Sequence, residues 1–112
     1  MTEQRSLLQR FTTVAGQAGS ILNALDIDML DSGQLKLVGT IKRLLADTRL
    51  DIRDWEMSES REEMQENAQE ALKRLEQARA SILLASEHGM FSAIDIAELT
   101  ALFDHIAAEL RR

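Results

Sequence analysis

The sequence predicts an all-α protein that folds as an antiparallel, up-down-up-down four-helix bundle, with residues 1–112 forming a single domain. Two features of the composition favour helices over strands: the chain has no proline, and aromatic residues make up only 4% of it. The third observation is periodicity, because four segments carry apolar residues at alternating spacings of three and four. This heptad rhythm is typical of helical bundles and of coiled coils.

The first helix is predicted to run from Thr2, its N-cap, to Leu25. Gly16 and Gly19 lie near its middle, where each glycine costs about 1 kcal/mol relative to alanine. We interpret both as points of close approach by a neighbouring helix, with a hinge or kink as the alternative. The apolar face is wide enough to contact two other helices and comprises Leu7, Leu8, Phe11, Val14, Ala15, Ala18, Ile21, Leu22 and Leu25.

The connection after the first helix is rich in aspartate, which invites comparison with a calcium-binding loop. The pattern does not fit such a loop, because Leu30 stands where a third oxygen ligand is needed and no glutamate closes the loop. We predict a polar turn in which Asp31 or Ser32 caps the second helix. Ile27, Met29 and Leu30 are expected to tuck under the end of the bundle.

The second helix is predicted from Gln34 to Trp55, and its boundary with the third helix is the hardest to place. No glycine or proline lies between Gly39 and Gly89, and residues 57–60 carry only two serines as break signals. Without a turn, residues 34–88 would form a rod of about 80 Å that would have to dimerise. The two apolar stripes do not join in register, which favours the turn. The stripe of the second helix is Val38, Ile41, Leu45, Thr48, Ile52 and Trp55.

The third helix is predicted to run from Ser60 to Gly89, and the other helices are expected to cover its stripe. Ser60 and Glu63 have the spacing of a capping box, and Gly89 can adopt the left-handed conformation that ends a helix. The stripe is rich in alanine, which allows close packing and suits homodimerisation. It comprises Met64, Ala68, Ala71, Leu75, Ala78, Ile82 and Ala85.

The fourth helix is predicted from Ser92 to Leu110, and its start signal is the strongest in the chain. Ser92 with Asp95 has capping-box spacing, and Asp95 with Glu98 offers a second frame. The stripe of this helix is Ile96, Leu99, Phe103, Ile106 and Leu110. Four helices with short connections satisfy the requirements of an antiparallel bundle.

The composition argues against several classes of function. The chain has 19 acidic and 13 basic residues, giving a formal charge of −6, which disfavours direct binding to nucleic acid or to an anionic membrane. It has no cysteine, so disulfides and thiolate chemistry are excluded. No apolar run approaches the roughly 20 residues of a membrane span, and no secretory signal is recognised, so a cytoplasmic location is expected. No cofactor, catalytic residue or small-molecule substrate is predicted.

Two minor alternatives remain open. His105 and Glu109 are one helical turn apart and could supply half of a metal site in a small helical enzyme or metal-binding bundle, although the Glu-x-x-His motif of di-iron bundles is absent. Residues 47–76 carry ten acids and five basic residues, which could mimic nucleic acid as an inhibitor. The simpler interpretation of that run is a solvated face with weak salt pairs.

The main functional prediction comes from apolar residues near the turn between the second and third helices. Leu50, Met57 and Met64 recur at intervals of seven close to Trp55. Methionine adapts to varied partner surfaces, and tryptophan is enriched at binding hot spots. We therefore predict that these four residues contact a protein partner or a second copy of the chain, in a homodimer.

Overall fold

The computed structural model describes residues 6–112, which form four α-helices and one short 3-10 turn. The helices are α1 (Leu7–Asn23), α2 (Ser32–Glu56), α3 (Arg61–Glu87) and α4 (Ala93–Leu110); the 3-10 turn η1 (Ile27–Met29) lies between α1 and α2. The predicted all-α four-helix architecture is therefore confirmed. The predicted N-cap Thr2 lies outside the described residues, and within them α1 begins at Leu7 with Ser6 as its cap, later than predicted.

The helices pack as an up-down-up-down bundle. The Leu8 amide at the start of α1 donates a hydrogen bond of 3.0 Å to the Glu56 carboxylate at the end of α2, so these two helices are antiparallel. Arg10 near the start of α1 lies 3.9 Å from Glu109 near the end of α4, which makes that pair antiparallel as well. α1 and α3 each pack against both α2 and α4. None of these helices within residues 6–112 is long and apolar enough to cross a membrane.

Each helix starts at a residue whose side chain accepts a hydrogen bond from the amide three positions further on. Such a cap satisfies one of the donors that the first turn leaves free. Gln34 also reaches back to the amide of its cap, completing a capping box, whereas Glu63 bonds to the amide of Glu59 at 3.4 Å. The structure selects the earlier of the two predicted starts for α4. The four caps are Ser6, Asp31, Ser60 and Ser92.

Gly89 ends α3 as predicted. Its φ of 74° is left-handed, and its amide donates to the carbonyl of Ser86 while the amide of Met90 donates to the carbonyl of Ala85, each at 3.0 Å. This pair of bonds is the Schellman arrangement, which satisfies carbonyls that the helix end leaves free. The reversal of the chain buries Met90 and Phe91 at this end of the bundle.

A turn separates α2 from α3, so the alternative of one continuous rod is wrong. The side-chain amide of Asn67 in α3 donates to the carbonyl of Asp54 at 3.2 Å and to the Ser58 hydroxyl at 2.9 Å. These two bonds hold the first turns of α3 against the end of α2. The turn is held by hydrogen bonds of a polar side chain and contains neither glycine nor proline, which explains why its position is hard to predict from the sequence.

The core follows the four predicted stripes. Two of its phenylalanines, Phe11 and Phe103, stack with ring centroids 6.3 Å apart and join α1 to α4. Thr48 is the one polar residue that is buried within residues 6–112. Its hydroxyl donates a hydrogen bond of 2.6 Å to the Leu44 carbonyl, so the hydroxyl has its partner within α2. The buried residues of the stripes are Leu7, Phe11, Val14, Ala18, Leu22, Ile41, Leu45, Ile52, Ala68, Ala71, Leu75, Ala78, Ile82, Ala85, Leu99, Phe103, Ile106 and Leu110.

The connection between α1 and α2 differs from its predicted packing. The expectation that Ile27 and Met29 tuck under the bundle is wrong, because 68% and 79% of these side chains are exposed. Leu30 is half-buried. The bundle end is already closed by Met90 and Phe91, so η1 projects into solvent.

The interpretation of Gly16 and Gly19 as points of close helix packing is also wrong. A Cβ atom added at either position would meet nothing within 4 Å. Gly16 instead lies beside an open cavity of about 580 Å³ between α1 and α4. The apolar spacing along α1 places both glycines outside the packed stripe, and helix spacing alone does not show how far away the next helix lies.

Candidate functional site

The four residues predicted to bind a partner fall on two different surfaces. Trp55 and Met64 line one groove at the end of the bundle, whereas Leu50 is exposed on α2 and Met57, the residue after α2, is exposed near Glu63 of α3. Trp55 continues the buried stripe of α2, and a shift of two residues along a helix turns a side chain by about 200°. The heptad that links Leu50 to Met57 therefore runs along the opposite side of the helix from Trp55.

The Trp55 groove, as we call it, is formed by the end of α2, the first turns of α3 and the end of α4. Its volume is about 630 Å³, within the range of about 300–1,000 Å³ typical of ligand-binding clefts. Its lining combines an apolar floor, two glutamines and three arginines. The lining residues are Trp55, Arg61, Met64, Gln65, Ala68, Gln69, Leu72, Leu110, Arg111 and Arg112.

The groove exists because the helices differ in length. α3 has 27 residues and α4 has 18, so α4 ends before it reaches the first turns of α3. The ion pair between Arg111 and Glu76, at 3.6 Å, places the end of α4 beside the middle of α3. Met64 is left 39% exposed, and the small side chain of Ala68 deepens the space beside Trp55.

The charge of the Trp55 groove is opposite to that of the protein. In the part of the chain that the structure describes, every charged residue that lines it is an arginine, while the whole chain carries a formal charge of −6. Arg111 and Arg112 form ion pairs of 3.6 and 3.8 Å with glutamates outside the groove, in positions where both guanidinium groups stay well exposed. Exposed pairs of this length contribute little energy, so the arginines can still bind an incoming anion.

None of the three arginines is predicted as a site residue from the sequence. A signal was available, because the predicted antiparallel topology brings the start of α3 and the end of α4 to the same end of the bundle. Arg61 is the first residue of α3, so the topology alone places it near Arg111 and Arg112. Leu72 and Leu110 complete the apolar floor.

The acidic run at the α2–α3 seam is partly neutralised within the fold. Arg74 of α3 lies 3.4 Å from Asp47 and 3.2 Å from Asp51. Burial raises the pKa of the Asp51 carboxyl above its ordinary value; the attraction of Arg74 opposes this increase, and the carboxylates of Glu70, Asp54 and Asp47 add to it. Asp47 and Asp51 are therefore paired with Arg74 at the seam, whereas Asp54 and Glu70 are exposed. The nucleic-acid-mimic alternative stays a prediction.

His105 and Glu109, the residues of the metal-site alternative, lie on α4 facing α1. Glu109 is held between Arg10 at 3.9 Å and Arg112 at 3.8 Å, and His105 is exposed beside a cavity of about 310 Å³. Within residues 6–112 no group of three or more histidine, aspartate or glutamate side chains is placed to hold a metal ion. The arrangement offers two ligands and two competing cations, so it does not favour metal binding.

Comparison of the chain with protein-family models, with curated proteins and with solved structures produced no match. The geometry of the site must therefore carry any functional conclusion.

Proposed function

We propose that this protein acts through protein–protein contact, as an adaptor, small chaperone, inhibitor or self-associating subunit, and that its binding site is the Trp55 groove. The observation that carries the proposal is the groove itself, a largely apolar cleft of about 630 Å³ in an acidic protein, whose charged lining residues within residues 6–112 are all arginines. The cytoplasm is the proposed location, which fractionation of cells expressing a tagged chain would test.

The chemistry of the groove suits a protein partner. Tryptophan and arginine are the residue types most enriched at binding hot spots, because each buries a large surface and offers polar or cationic contacts. Met64 adds an adaptable apolar contact at the rim of the cleft. A partner side chain that fills the groove would exclude water from Trp55, Leu72 and Leu110, and an acidic group beside it would meet the arginines.

The surface at Leu50 and Met57 is a secondary candidate. These two residues are exposed one heptad apart, and Arg53 and Asp54 lie between them. Scattered exposed apolar residues are common, so this surface is a weaker candidate than the groove. The predicted partner contact at Leu50 and Met57 stays a proposal of its own, tested by Leu50→Glu.

The test of the groove uses Met64→Glu, which places a carboxylate on the apolar wall. Met64 is 39% exposed and lies outside the main core cluster, so the fold should survive the change. The matched control is Leu84→Glu on the same helix, because Leu84 is 46% exposed and lines none of the groove. Both variants change the charge equally.

The parent protein and the two variants are immobilised, and proteins captured from a lysate of the source cells are compared quantitatively. We expect a partner whose capture falls at least tenfold with Met64→Glu and is unchanged with Leu84→Glu, followed by direct titration of the purified partner. Capture that is equal for all three proteins would contradict the proposal. So would a parent protein that binds neither another protein nor itself.

A further inference from the structure

The opposite end of the bundle carries a projecting apolar turn, residues 26–29, which we call the Ile27 turn. We propose that the Ile27 turn of a second copy of this chain docks into the Trp55 groove, so that the protein assembles head to tail. This inference rests on the proposed function of the groove and names its occupant. Three properties of the turn support it: exposure, rigidity and charge.

The exposed apolar side chains of the turn are suited to enter a cleft. Ile27 and Met29 are 68% and 79% exposed, among the highest values for large apolar residues in the described chain. Covering apolar side chains that are this exposed removes them from water and so stabilises the complex. The groove offers an apolar floor large enough to receive them.

The turn is held in one conformation before it docks. The amide of Met29 donates to the Asp26 carbonyl at 3.0 Å, and the amide of Leu30 donates to the Ile27 carbonyl at 3.1 Å. The Asp26 carboxylate also accepts a bond of 3.1 Å from the Asp28 amide. A segment that is already ordered loses less conformational entropy on binding, so its contacts yield more affinity.

The charges of the two surfaces are complementary. Asp26 and Asp28 flank Ile27, and within the described residues neither forms an ion pair. Within residues 6–112, the charged residues that line the groove are all cationic: Arg61, Arg111 and Arg112. Opposite charges at the rim of an interface speed association and fix its orientation.

The two surfaces cannot meet within one molecule. The Ile27 turn precedes α2 and Trp55 lies at the other end of that helix, which at 25 residues spans about 37 Å. A contact between unlike surfaces of identical molecules is heterologous, so an open assembly keeps one free turn at one end and one free groove at the other. Repetition of the contact produces a closed ring or an open chain.

The first measurement is sedimentation velocity of the whole protein at concentrations up to roughly 1 mM. A single inserted turn covers less area than a standard interface, so we expect a dissociation constant of roughly 10–500 µM. The mean mass should rise past that of two copies as concentration increases. Raising the salt concentration from roughly 50 to 500 mM should weaken the association several-fold, because the rim charges are exposed.

Two variants test the partners in the contact. Met29→Lys places a cation opposite the arginines, and Met64→Glu alters the groove; each protein alone should be monomeric. Mixed together they should form a one-to-one dimer that grows no further, because only one intact turn and one intact groove remain. Ile94→Lys, equally exposed at 79% but outside the turn, and Leu84→Glu should associate like the parent.

Several results would overturn the inference. One such result is a parent protein that stays monomeric to roughly 1 mM. Another is association that persists in both Met29→Lys and Met64→Glu. A third is a mixture of these two variants that forms no dimer. Equal loss of association with Ile94→Lys would remove the assignment to the Ile27 turn. If Met64→Glu abolishes capture of another protein while the parent remains monomeric, self-docking fails and the proposed function stands. If Met64→Glu changes neither property, both fail.

Discussion

Replacing Gly16 with alanine should stabilise the protein, although the glycine lies in the middle of a helix that packs against two others. Gly16 is exposed in α1, and an added Cβ atom would meet nothing within 4 Å. The substitution therefore changes only the backbone contribution, since alanine restricts the unfolded chain more than glycine does. That contribution is about 0.5–1 kcal/mol in a helix interior.

The assay is urea unfolding at 25 °C, followed by circular dichroism. The midpoint should rise while the dependence of the free energy of unfolding on urea is unchanged, because the surface exposed on unfolding is nearly the same. The thermal midpoint should rise by roughly 3–6 °C, given the size of the domain. Gly39→Ala in α2, where a Cβ atom would also meet nothing within 4 Å, should add a similar gain.

The control is Gly89→Ala, which should lose about 1 kcal/mol, because Gly89 has a φ of 74° and alanine is strained there. A loss of about 1–3 kcal/mol with Gly16→Ala would refute the reasoning. Overpacking of that size would mean that α4 approaches α1 closely at Gly16, as the sequence predicts, and that the cavity beside it is filled.

Three further changes test the packing. The Asp51→Asn variant should become more stable relative to the parent as pH rises through the raised pKa of Asp51. The folded parent binds the proton of the Asp51 carboxyl more tightly than the unfolded chain does, so losing that proton costs the parent stability. Urea midpoints of both proteins from pH 4 to pH 7 measure this difference. Glu56→Ala should cost about 0.5–1.5 kcal/mol at pH 7, because the Leu8 amide loses its acceptor, and Glu56→Gln should cost less. Thr48→Val should change stability by less than about 1 kcal/mol, because the Leu44 carbonyl needs no second donor; a larger loss would assign the hydroxyl a role in fixing α2.

The sequence predicts the helices well because their signals are local. The cap at Ser92 and the left-handed glycine at Gly89 act through hydrogen bonds that span only three to five residues. The apolar stripes repeat every three or four residues, so their faces can be assigned without knowledge of the partner helix. The mismatch in register between the stripes of the second and third helices favours the turn before Ser60 over a continuous rod.

The structure places the four residues of the predicted site on two surfaces, because exposure depends on which surfaces other helices leave uncovered. Trp55 and Met64 line the same groove, while Leu50 and Met57 lie elsewhere on the surface. Heptad spacing alone cannot separate these cases, since it gives the direction of a side chain and not the distance to the next helix. The open space beside Gly16 is a second example of the same limit.

The sequence by itself therefore determined the all-α class, the four helices, the caps of α2, α3 and α4 and the stripes that form the core, because each depends on chemistry within a few residues of the chain. The tertiary structure decided what the surface presents. The difference in length between α3 and α4 opens the Trp55 groove, and their antiparallel register brings Arg61 to the same rim as Arg111 and Arg112. Closure of the opposite end by Met90 and Phe91 leaves the Ile27 turn in solvent. Both results arise from how whole helices pack, which no local pattern encodes.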